Sequence, residues 1–217
     1  MITRRYFNGL TVKGLAAAAV GAVALASLSI VGAGQARAAT IGADGLMTEP
    51  WFVNSFLILK EDLEEAAAAG KRLAVIFSLE GCPYCREMHE VNFARSDITE
   101  FVKTNFNVLQ LNIIGARMVT DFDGEAMEER ALGRKWLVNF TPTLVFFPND
   151  PAAVAGKSGR AAEATRIQGY LSPFYFYHFF EWVRSGTYKE EGFQRYANAR
   201  LDEMRAKGES IEDWRLG

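Results

Sequence analysis

Short apolar runs alternate with longer amphipathic stretches from residue 59 onward. Leu59–Ala69 carries four acidic residues in its first turns, continues in alanines and is followed by Gly70, which predicts a helix. Leu73–Ser78 is a short continuous apolar run, which fits a buried strand. Further helices are predicted over 85–91, 96–102, 125–137, from Ser172-Pro173 onward and within 192–208, and further strands over 107–114, 144–147 and 162–169. Strands that alternate with helices predict an α/β protein.

Residues 1–38 have the pattern of an export signal. A basic start precedes a long apolar run, and residues 36–38 (Ala-Arg-Ala) offer small side chains at a cleavage site. Thr3–Phe7 resembles the twin-arginine motif, although Asn8-Gly9 stands where that motif usually has Leu-Lys. We therefore expect cleavage after residue 38 and a periplasmic location, with the twin-arginine route favoured over general secretion. An uncleaved membrane anchor is the alternative, because the apolar run is long enough to span.

Composition and charge place the rest of the chain among soluble globular proteins. Hydrophobic residues make up 49% of the 217 residues and charged residues 23%, which excludes a disordered, collagen-like or coiled-coil chain. The signal removes four of the 24 basic residues, so that 20 remain against 26 acidic ones, a net charge of −6. An acidic domain of this kind gives no indication of a nucleic-acid partner.

The only two cysteines, Cys82 and Cys85, stand three positions apart between a predicted strand and a predicted helix. The free amides and the dipole at a helix start stabilise negative charge, so the pKa of the Cys82 thiol should fall. Pro83 suits the first helical turn, and Cys85 lies one turn deeper. The expected reaction is attack by Cys82 on a substrate disulfide, followed by resolution of the mixed disulfide by Cys85.

Two other interpretations of the cysteine pair carry less weight. A disulfide that closes a loop of four residues constrains the unfolded chain little, so it would be a poor structural crosslink. A zinc site needs about four ligands, and the sequence offers no second cysteine pair. His89 could be a third ligand, but a half-buried helix residue is the simpler interpretation. No metal site and no cofactor are therefore predicted.

The dipeptide Thr141-Pro142 lies directly before the predicted strand 144–147. A proline at this place, after a redox helix, is expected to follow a cis peptide bond. The cis bond would turn the backbone of Thr141 toward the sulfurs, where it could pair with a bound substrate strand and contact Cys82.

Two segments that carry these residues, 77–89 and 139–147, resemble the thioredoxin superfamily. Within it, Val119–Glu125 is similar to the corresponding stretch of the SoxW-type periplasmic thioredoxins of bacterial sulfur oxidation. The resemblance covers about residues 55–185. It implies a thioredoxin-like fold: a central mixed four-stranded sheet flanked by helices, here with an added C-terminal helix.

The resemblance also implies a function. Members of this group reduce disulfides in exported partner proteins and receive electrons through a membrane thiol transporter. Carried over by position, Cys82 is the nucleophile, Cys85 resolves, and Pro83, Tyr84, Thr141 and Pro142 face the substrate. The pair Cys82–Cys85 would be a redox-active disulfide, and the protein is expected to be a monomer.

The sequence departs from typical thioredoxins at two places. Pro83-Tyr84 replaces Gly-Pro between the cysteines, and this dipeptide also occurs in glutaredoxins and some periplasmic isomerases. Ile76 stands where thioredoxins keep a buried Asp, so the usual proton acceptor for the resolving cysteine is missing. Glu80 and Glu87 are the nearest acids, and both are expected to be solvated.

The predicted domain organisation divides the chain into four parts: a signal over 1–38, a flexible segment over 39–54, a thioredoxin-like domain over 55–187 and a helical extension over 188–217. Asp121, Asp123 and Glu125 resemble part of a calcium loop, but a turn that caps the next helix is favoured. Phe174–Trp182, rich in aromatic residues and containing His178, is expected to pack between the sheet and the C-terminal helix rather than to form an exposed patch.

Other functional hypotheses remain beside the reductase. A disulfide oxidase or isomerase is kept open by Pro83-Tyr84 and Thr141, although the short stretch before the redox domain argues against an isomerase with a dimerisation domain. A glutathione-dependent glutaredoxin is disfavoured by export. A protein-binding module with an idle cysteine pair and a metal carrier are the alternatives from other classes.

Overall fold

A computed structural model describes residues 39–214 of the chain. In chain order its elements are β1 Thr40–Ile41, β2 Met47–Thr48, α1 Leu59–Ala68, β3 Arg72–Ser78, α2 Pro83–Glu87, a π-helix Met88–Asn92, α3 Ser96–Asn105, β4 Phe106–Asn112, β5 Met118–Thr120, β6 Ala126–Glu128, α4 Glu129–Lys135, β7 Thr143–Phe146, α5 Pro151–Val154, α6 Gly159–Ala162, β8 Thr165–Gln168, α7 Pro173–Ser185, a 3-10 turn Thr187–Lys189, α8 Phe193–Ala206 and a 3-10 turn Ile211–Trp214. The signal predicted over 1–38 lies outside the described residues.

The central sheet has four strands in the order β4-β3-β7-β8. β3 runs parallel to β4 and antiparallel to β7, and β8 is antiparallel to β7. All seven residues of β3 are buried because helices cover both faces of the sheet. Leu73, Val75 and Phe77 join the core under α1 and α4, whereas Ala74 and Ile76 join the core under α3 and α7. The predicted thioredoxin-like fold with a mixed four-stranded sheet and an added C-terminal helix is confirmed.

The stretch predicted as one helix over 125–137 contains a strand and a shorter helix. Ala126–Glu128 pairs antiparallel with Met118–Thr120, and α4 begins only at Glu129. The turn between the strands contains Gly124 at φ +85°, a conformation that favours glycine. This turn therefore closes a hairpin and does not cap the next helix.

The Asp121, Asp123 and Glu125 carboxylates of this turn surround a lysine. Lys135 Nζ lies 2.9, 2.6 and 2.9 Å from their oxygens. Burial alone would lower the pKa of Lys135, but these hydrogen bonds outweigh it and raise that pKa. An ammonium group of the chain itself thus occupies the centre of the acidic group that resembles part of a calcium loop.

Residues 39–54, predicted as a flexible segment, pack against the sheet and the redox helix. β1 and β2 form a small hairpin, and Leu46 is 1% exposed. Gln110 Nε2 donates to the Met47 carbonyl oxygen at 2.9 Å, and the Val53 amide donates to the Val108 carbonyl oxygen. The segment is poor in periodic apolar positions, so its long-range contacts left no pattern in the sequence.

The aromatic residues of α7 are mostly interior, as predicted. Phe180 packs edge-on against Phe106 and Phe146 of the sheet, at centroid distances of 4.9 and 5.0 Å. Phe179 contacts Phe193 of α8 at 4.7 Å. α7 therefore lies between the sheet and the C-terminal helix. Within residues 39–214, the helices are all too short or too polar to cross a bilayer.

Candidate active site

Cys82 and Cys85 lie in the connection from β3 to α2 and in the first turn of α2, at the carboxyl end of β3. The chain leaves β3 at Ser78 and turns through Gly81, whose φ of +72° favours glycine. Cys82 is the residue before the first turn of α2, Pro83 occupies the first helical position, and the two cysteines are joined by a disulfide with a Cα–Cα distance of 5.2 Å. The two predicted redox residues therefore come together as a disulfide.

The sulfur of Cys82 is held by the start of the helix. The Cys85 amide donates to Cys82 Sγ at 3.1 Å, so the Cys82 side chain accepts the hydrogen bond that an N-cap side chain accepts. Cys82 is 9% exposed and Cys85 4%, so Cys82 is the more accessible residue of the two. This arrangement fits an attacking Cys82 that a partner can reach and a Cys85 that is shielded.

The loop before β7 supplies the second side of the site. The Thr141–Pro142 peptide bond is cis. Thr141 Oγ1 donates to Cys82 Sγ at 3.3 Å, and the Thr141 carbonyl oxygen lies 3.5 Å from the same sulfur. The loop is fixed on both sides, because Thr143 Oγ1 donates to the Phe140 carbonyl oxygen and the Gly169 amide donates to the Pro142 carbonyl oxygen, both at 2.8 Å. Thr141 thus stands beside the sulfur, 59 positions away in sequence.

Exposed aromatic rings flank the disulfide. Tyr84 is 58% exposed and Phe140 62% exposed. Tyr84 stacks on Tyr170 at a centroid distance of 6.4 Å, and Tyr170 donates its hydroxyl to Asn92 Oδ1. Burial and the charge of Glu87 raise the pKa of Tyr170 to about 12, so this phenol stays protonated at neutral pH. The rings offer apolar surface to a partner chain, while Pro142 beside them is buried.

The N-terminal hairpin lines one side of a small cavity next to the disulfide, which the sequence did not predict. Ile41, Gly45 and Met47 line a cavity of about 80 Å³ together with Cys82 and Cys85, and Ser78, Leu79, Gly81 and Arg86 complete its lining. Gly45 lies so close to Glu80 that an added Cβ would be 2.7 Å from the carboxylate carbon. Contacts between a hairpin and a strand end far along the chain have no local sequence signal.

A second polar group missed by sequence reasoning lies behind the redox helix. His89 Nδ1 is 2.8 Å from Glu49 Oε1, and both side chains are almost completely buried. The interpretation of His89 as a half-buried helix residue understates its burial, and no zinc ligand set surrounds it in the described residues. The one signal in the sequence was the position of His89, one turn after Cys85.

The acids that the sequence placed nearest to the cysteines are solvated as expected. Glu80 and Glu87 are exposed, and neither is hydrogen-bonded to a sulfur in the contacts of the described residues. Ile76, at the position of the missing acid, is fully buried in the middle of β3. His178, far from the disulfide on α7, pairs with Glu181 at 2.8 Å.

Several solved structures resemble the chain in fold. A thioredoxin-fold protein from Helicobacter pylori is 17% identical, with 61% of this chain and 86% of that chain covered and a TM-score of 0.49. A thioredoxin from Thermus thermophilus is 24% identical, with 58% and 83% covered and a TM-score of 0.44. The C-terminal domain of DsbD from Neisseria meningitidis, in its oxidised form, is 14% identical, with 57% and 90% covered and a TM-score of 0.39.

The family assignment comes from the sequence comparison. A search of the curated proteins finds no match. The family model described as a thioredoxin-like domain matches residues 59–183, which is more than half of the chain and includes both cysteines and Thr141-Pro142. The chain therefore belongs to the thioredoxin-like domain family.

Proposed function

We propose that this protein is an exported thiol-disulfide oxidoreductase that reduces disulfides in periplasmic partner proteins. The observation that carries the proposal is the Cys82–Cys85 disulfide, whose first sulfur receives hydrogen bonds from both the Cys85 amide and the Thr141 hydroxyl. Donors directed at a sulfur stabilise its thiolate, and the thiolate is the form that attacks a disulfide. A family member with such a pair has the two groups that disulfide exchange requires, a stabilised attacking thiolate and a resolving thiol.

In the proposed reaction, the Cys82 thiolate attacks one sulfur of the substrate disulfide and a mixed disulfide forms. Cys85 then attacks Cys82, the substrate leaves with two thiols, and the Cys82–Cys85 disulfide seen here is the product. Pro83, Tyr84 and Thr141 are the proposed substrate-facing residues, and the buried Pro142 supports the backbone of Thr141 from below. The exposed rings of Tyr84 and Phe140 favour a partner that presents an apolar residue next to its disulfide.

The cellular setting is part of the proposal. The basic start, apolar run and cleavage site of residues 1–38 support export to the periplasm. A reductant in that compartment needs electrons from the cytoplasm, so a membrane thiol transporter is the proposed donor. The likeness of Val119–Glu125 to SoxW-type thioredoxins supports partners that belong to sulfur oxidation.

The reduction potential of the Cys82–Cys85 pair tests the direction of electron flow. Equilibration against glutathione buffers should give a value near ~−270 mV, the range of thioredoxin. A value of about −120 to −180 mV, where strong oxidants and isomerases lie, would favour disulfide formation or reshuffling instead.

The partner is identified by a trapping variant. In Cys85→Ser the resolving thiol is absent, so Cys82 should accumulate as a mixed disulfide with its partner, which mass spectrometry of periplasmic extracts would name. Cys82→Ser is the matched control and should trap nothing. Full biological function of Cys82→Ser would contradict every redox function and favour a protein-binding module.

A further inference from the structure

The buried pair of Glu49 and His89 has no role in the mechanism above. His89 Nδ1 lies 2.8 Å from Glu49 Oε1, and their side chains are 0% and 4% exposed. The rings of Phe52 and Phe93 pack around the imidazole at centroid distances of 5.8 and 5.6 Å. Burial of a carboxylate and an imidazole in apolar surroundings is costly unless each polar group has a partner.

One polar atom of the pair has none. His89 Nε2 is buried and lacks a hydrogen-bond partner among the described residues. Because Nδ1 faces the Glu49 carboxylate, the neutral imidazole carries its proton on Nδ1 and leaves the lone pair of Nε2 free. A carboxylate that orients an imidazole whose other nitrogen is unoccupied is the arrangement of a general base.

The position of His89 relates this base to the redox pair. Cys85 and His89 are four residues apart on the continuous helical segment formed by α2 and the π-helix, and both are buried. Side chains four apart on a helix are neighbours, and each leans toward the start of the helix, so His89 leans toward the turn that holds Cys85. The Cys85 sulfur is not a hydrogen-bond partner of Nε2 in the oxidised protein, so the transfer requires the reduced Cys85 thiol to turn toward His89.

Other charged groups near the pair are solvated. Arg86, Glu87 and Glu90 on the same helical segment are exposed, as is Glu80 in the preceding loop. The neighbouring strand β3 presents the apolar Ile76. Of the residues 83–92, all of which the structure describes, the buried ones are Cys85, Met88, His89 and Asn92. His89 is thus the buried group on this segment that can accept a proton.

We propose that His89, oriented by Glu49, accepts the thiol proton of Cys85 when the mixed disulfide is resolved. This inference rests on the proposed function. The Cys85 S–H proton moves to His89 Nε2, and the Cys85 thiolate attacks Cys82 Sγ. The Cys82–Cys85 bond forms as the bond from Cys82 to the substrate sulfur breaks, and the substrate leaves as a thiolate with the electron pair. The imidazolium then returns its proton to the departing thiolate or to solvent.

Glu49 is a positioning residue in this scheme, and it comes from outside the matched family domain. It follows the N-terminal hairpin, whereas the family model begins at residue 59. The N-terminal segment therefore supplies part of the resolving machinery, in place of an acid on β3.

Reaction of the full-length reduced protein with the aromatic disulfide DTNB separates the two steps. Attack by Cys82 releases one coloured thiolate, and resolution by Cys85 releases the second. His89→Gln should slow the second release by about 100-fold, the usual contribution of a general base, and leave the first within about twofold. Glu49→Gln should slow the second release by about tenfold. The second rate of the wild type should level off with rising pH, whereas that of His89→Gln should keep rising.

His178→Gln is the matched control, because His178 Nδ1 also lies 2.8 Å from a glutamate oxygen but on α7. Both releases should keep their wild-type rates in this variant. A second release at the wild-type rate and with the wild-type pH profile in folded His89→Gln would overturn the inference. Equal slowing of both releases would also overturn it, since that indicates general loss of site geometry.

A folding failure of His89→Gln leaves Glu49→Gln to decide, since it keeps the imidazole in place. If folded Glu49→Gln resolves the mixed disulfide like the wild type, the inference is wrong. Failure of the proposed function has a different signature, because the wild-type protein would then still release both thiolates from DTNB but would not reduce a protein disulfide.

Discussion

At the scale of single residues, the site depends on two hydrogen bonds to one sulfur. The amide of Cys85 is fixed by α2, whereas the hydroxyl of Thr141 lies on the loop before β7, which the Gly169 amide after β8 and the Thr143 hydroxyl hold in place. A hydroxyl that donates to a thiolate stabilises the charged form relative to the thiol. We therefore predict that Thr141 tunes the reactivity of Cys82.

Thr141→Val tests this contribution. Loss of a hydrogen bond to a charged group costs roughly 1.5 kcal/mol, so the pKa of the Cys82 thiol in the reduced protein should rise by about one unit. The thiolate absorbance in the ultraviolet, followed against pH, measures it. Thr104→Val, at an exposed position of α3, is the control and should leave that pKa unchanged. An unaltered pKa in Thr141→Val would show that the hydroxyl does not reach the sulfur in the reduced state.

The residues of the site divide into those that sequence could find and those that it could not. Cys82, Cys85 and Thr141-Pro142 were found because each is a short motif next to a predicted element. Glu49 was not found, because its contact with His89 spans 40 positions and depends on how an irregular segment packs. Burial of an acid in such a segment is a tertiary property with no local pattern.

At the scale of elements, long periodic segments were predicted well and short ones were not. α1 and β3 are found within one residue of their predicted ends. α5 and α6 were not predicted, because each has four residues and a span of four is too short for a periodic signal. The dipeptide Asp150-Pro151 could have indicated the start of α5. Asp150 Oδ1 accepts a hydrogen bond from the Ala152 amide as an N-cap, and Pro151 occupies the first helical position.

Gly159→Ala tests whether the close packing of α6 on Trp136 requires a glycine at the start of that helix. A Cβ at Gly159 would lie 2.0 Å from a ring carbon of the fully buried Trp136, so the indole must move. Overpacking of this kind should lower the free energy of unfolding by about 1–3 kcal/mol, measured by urea denaturation. Gly133→Ala is the matched control within α4, because its Cβ would meet only ordinary contacts at 3.6 Å and alanine is the better helix former. Gly133→Ala should be neutral or slightly stabilising, and equal stability of Gly159→Ala and the wild type would show that the indole can relocate at no cost.

At the scale of the whole molecule, the family domain is extended by packed segments at both ends. The N-terminal segment contributes Glu49 to the interior, and α8 covers Phe179 and Trp182 of α7. Trp182 Nε1 also donates to the Glu191 carbonyl oxygen in the connection between these helices. The aromatic richness of α7 thus has a structural explanation, because two layers cover it.

The junction of α7 and α8 also makes stability depend on pH. Glu181 Oε2 lies 2.8 Å from both His178 Nδ1 and the hydroxyl of Tyr196, which donates to it. The hydrogen bond with His178 lowers the pKa of Glu181 most, and although burial opposes it, the bond from Tyr196 and the charges of His178 and Arg200 keep that pKa below its ordinary value of 4.5. A carboxyl with a lowered pKa in the folded state stabilises the protein above its unfolded pKa and loses that contribution as pH falls.

Glu181→Gln should therefore destabilise the protein at pH 7 and not in acid. The carboxylate is partly exposed, so we expect a loss of about 1 kcal/mol, a fall in Tm of ~2–4 °C at neutral pH. The difference from the wild type should shrink as pH drops below about 4.5 and vanish near pH ~2–3, because the wild-type Glu181 is then protonated as well. Glu64→Gln is the control, since among the described residues Glu64 forms an exposed pair with Lys60 at 3.8 Å, and the Tm of this variant should follow the wild type throughout. A Tm difference for Glu181→Gln that persists unchanged into acid would contradict this prediction. It would mean that the glutamine disturbs packing between α7 and α8 and that the charge of Glu181 does not stabilise their contact.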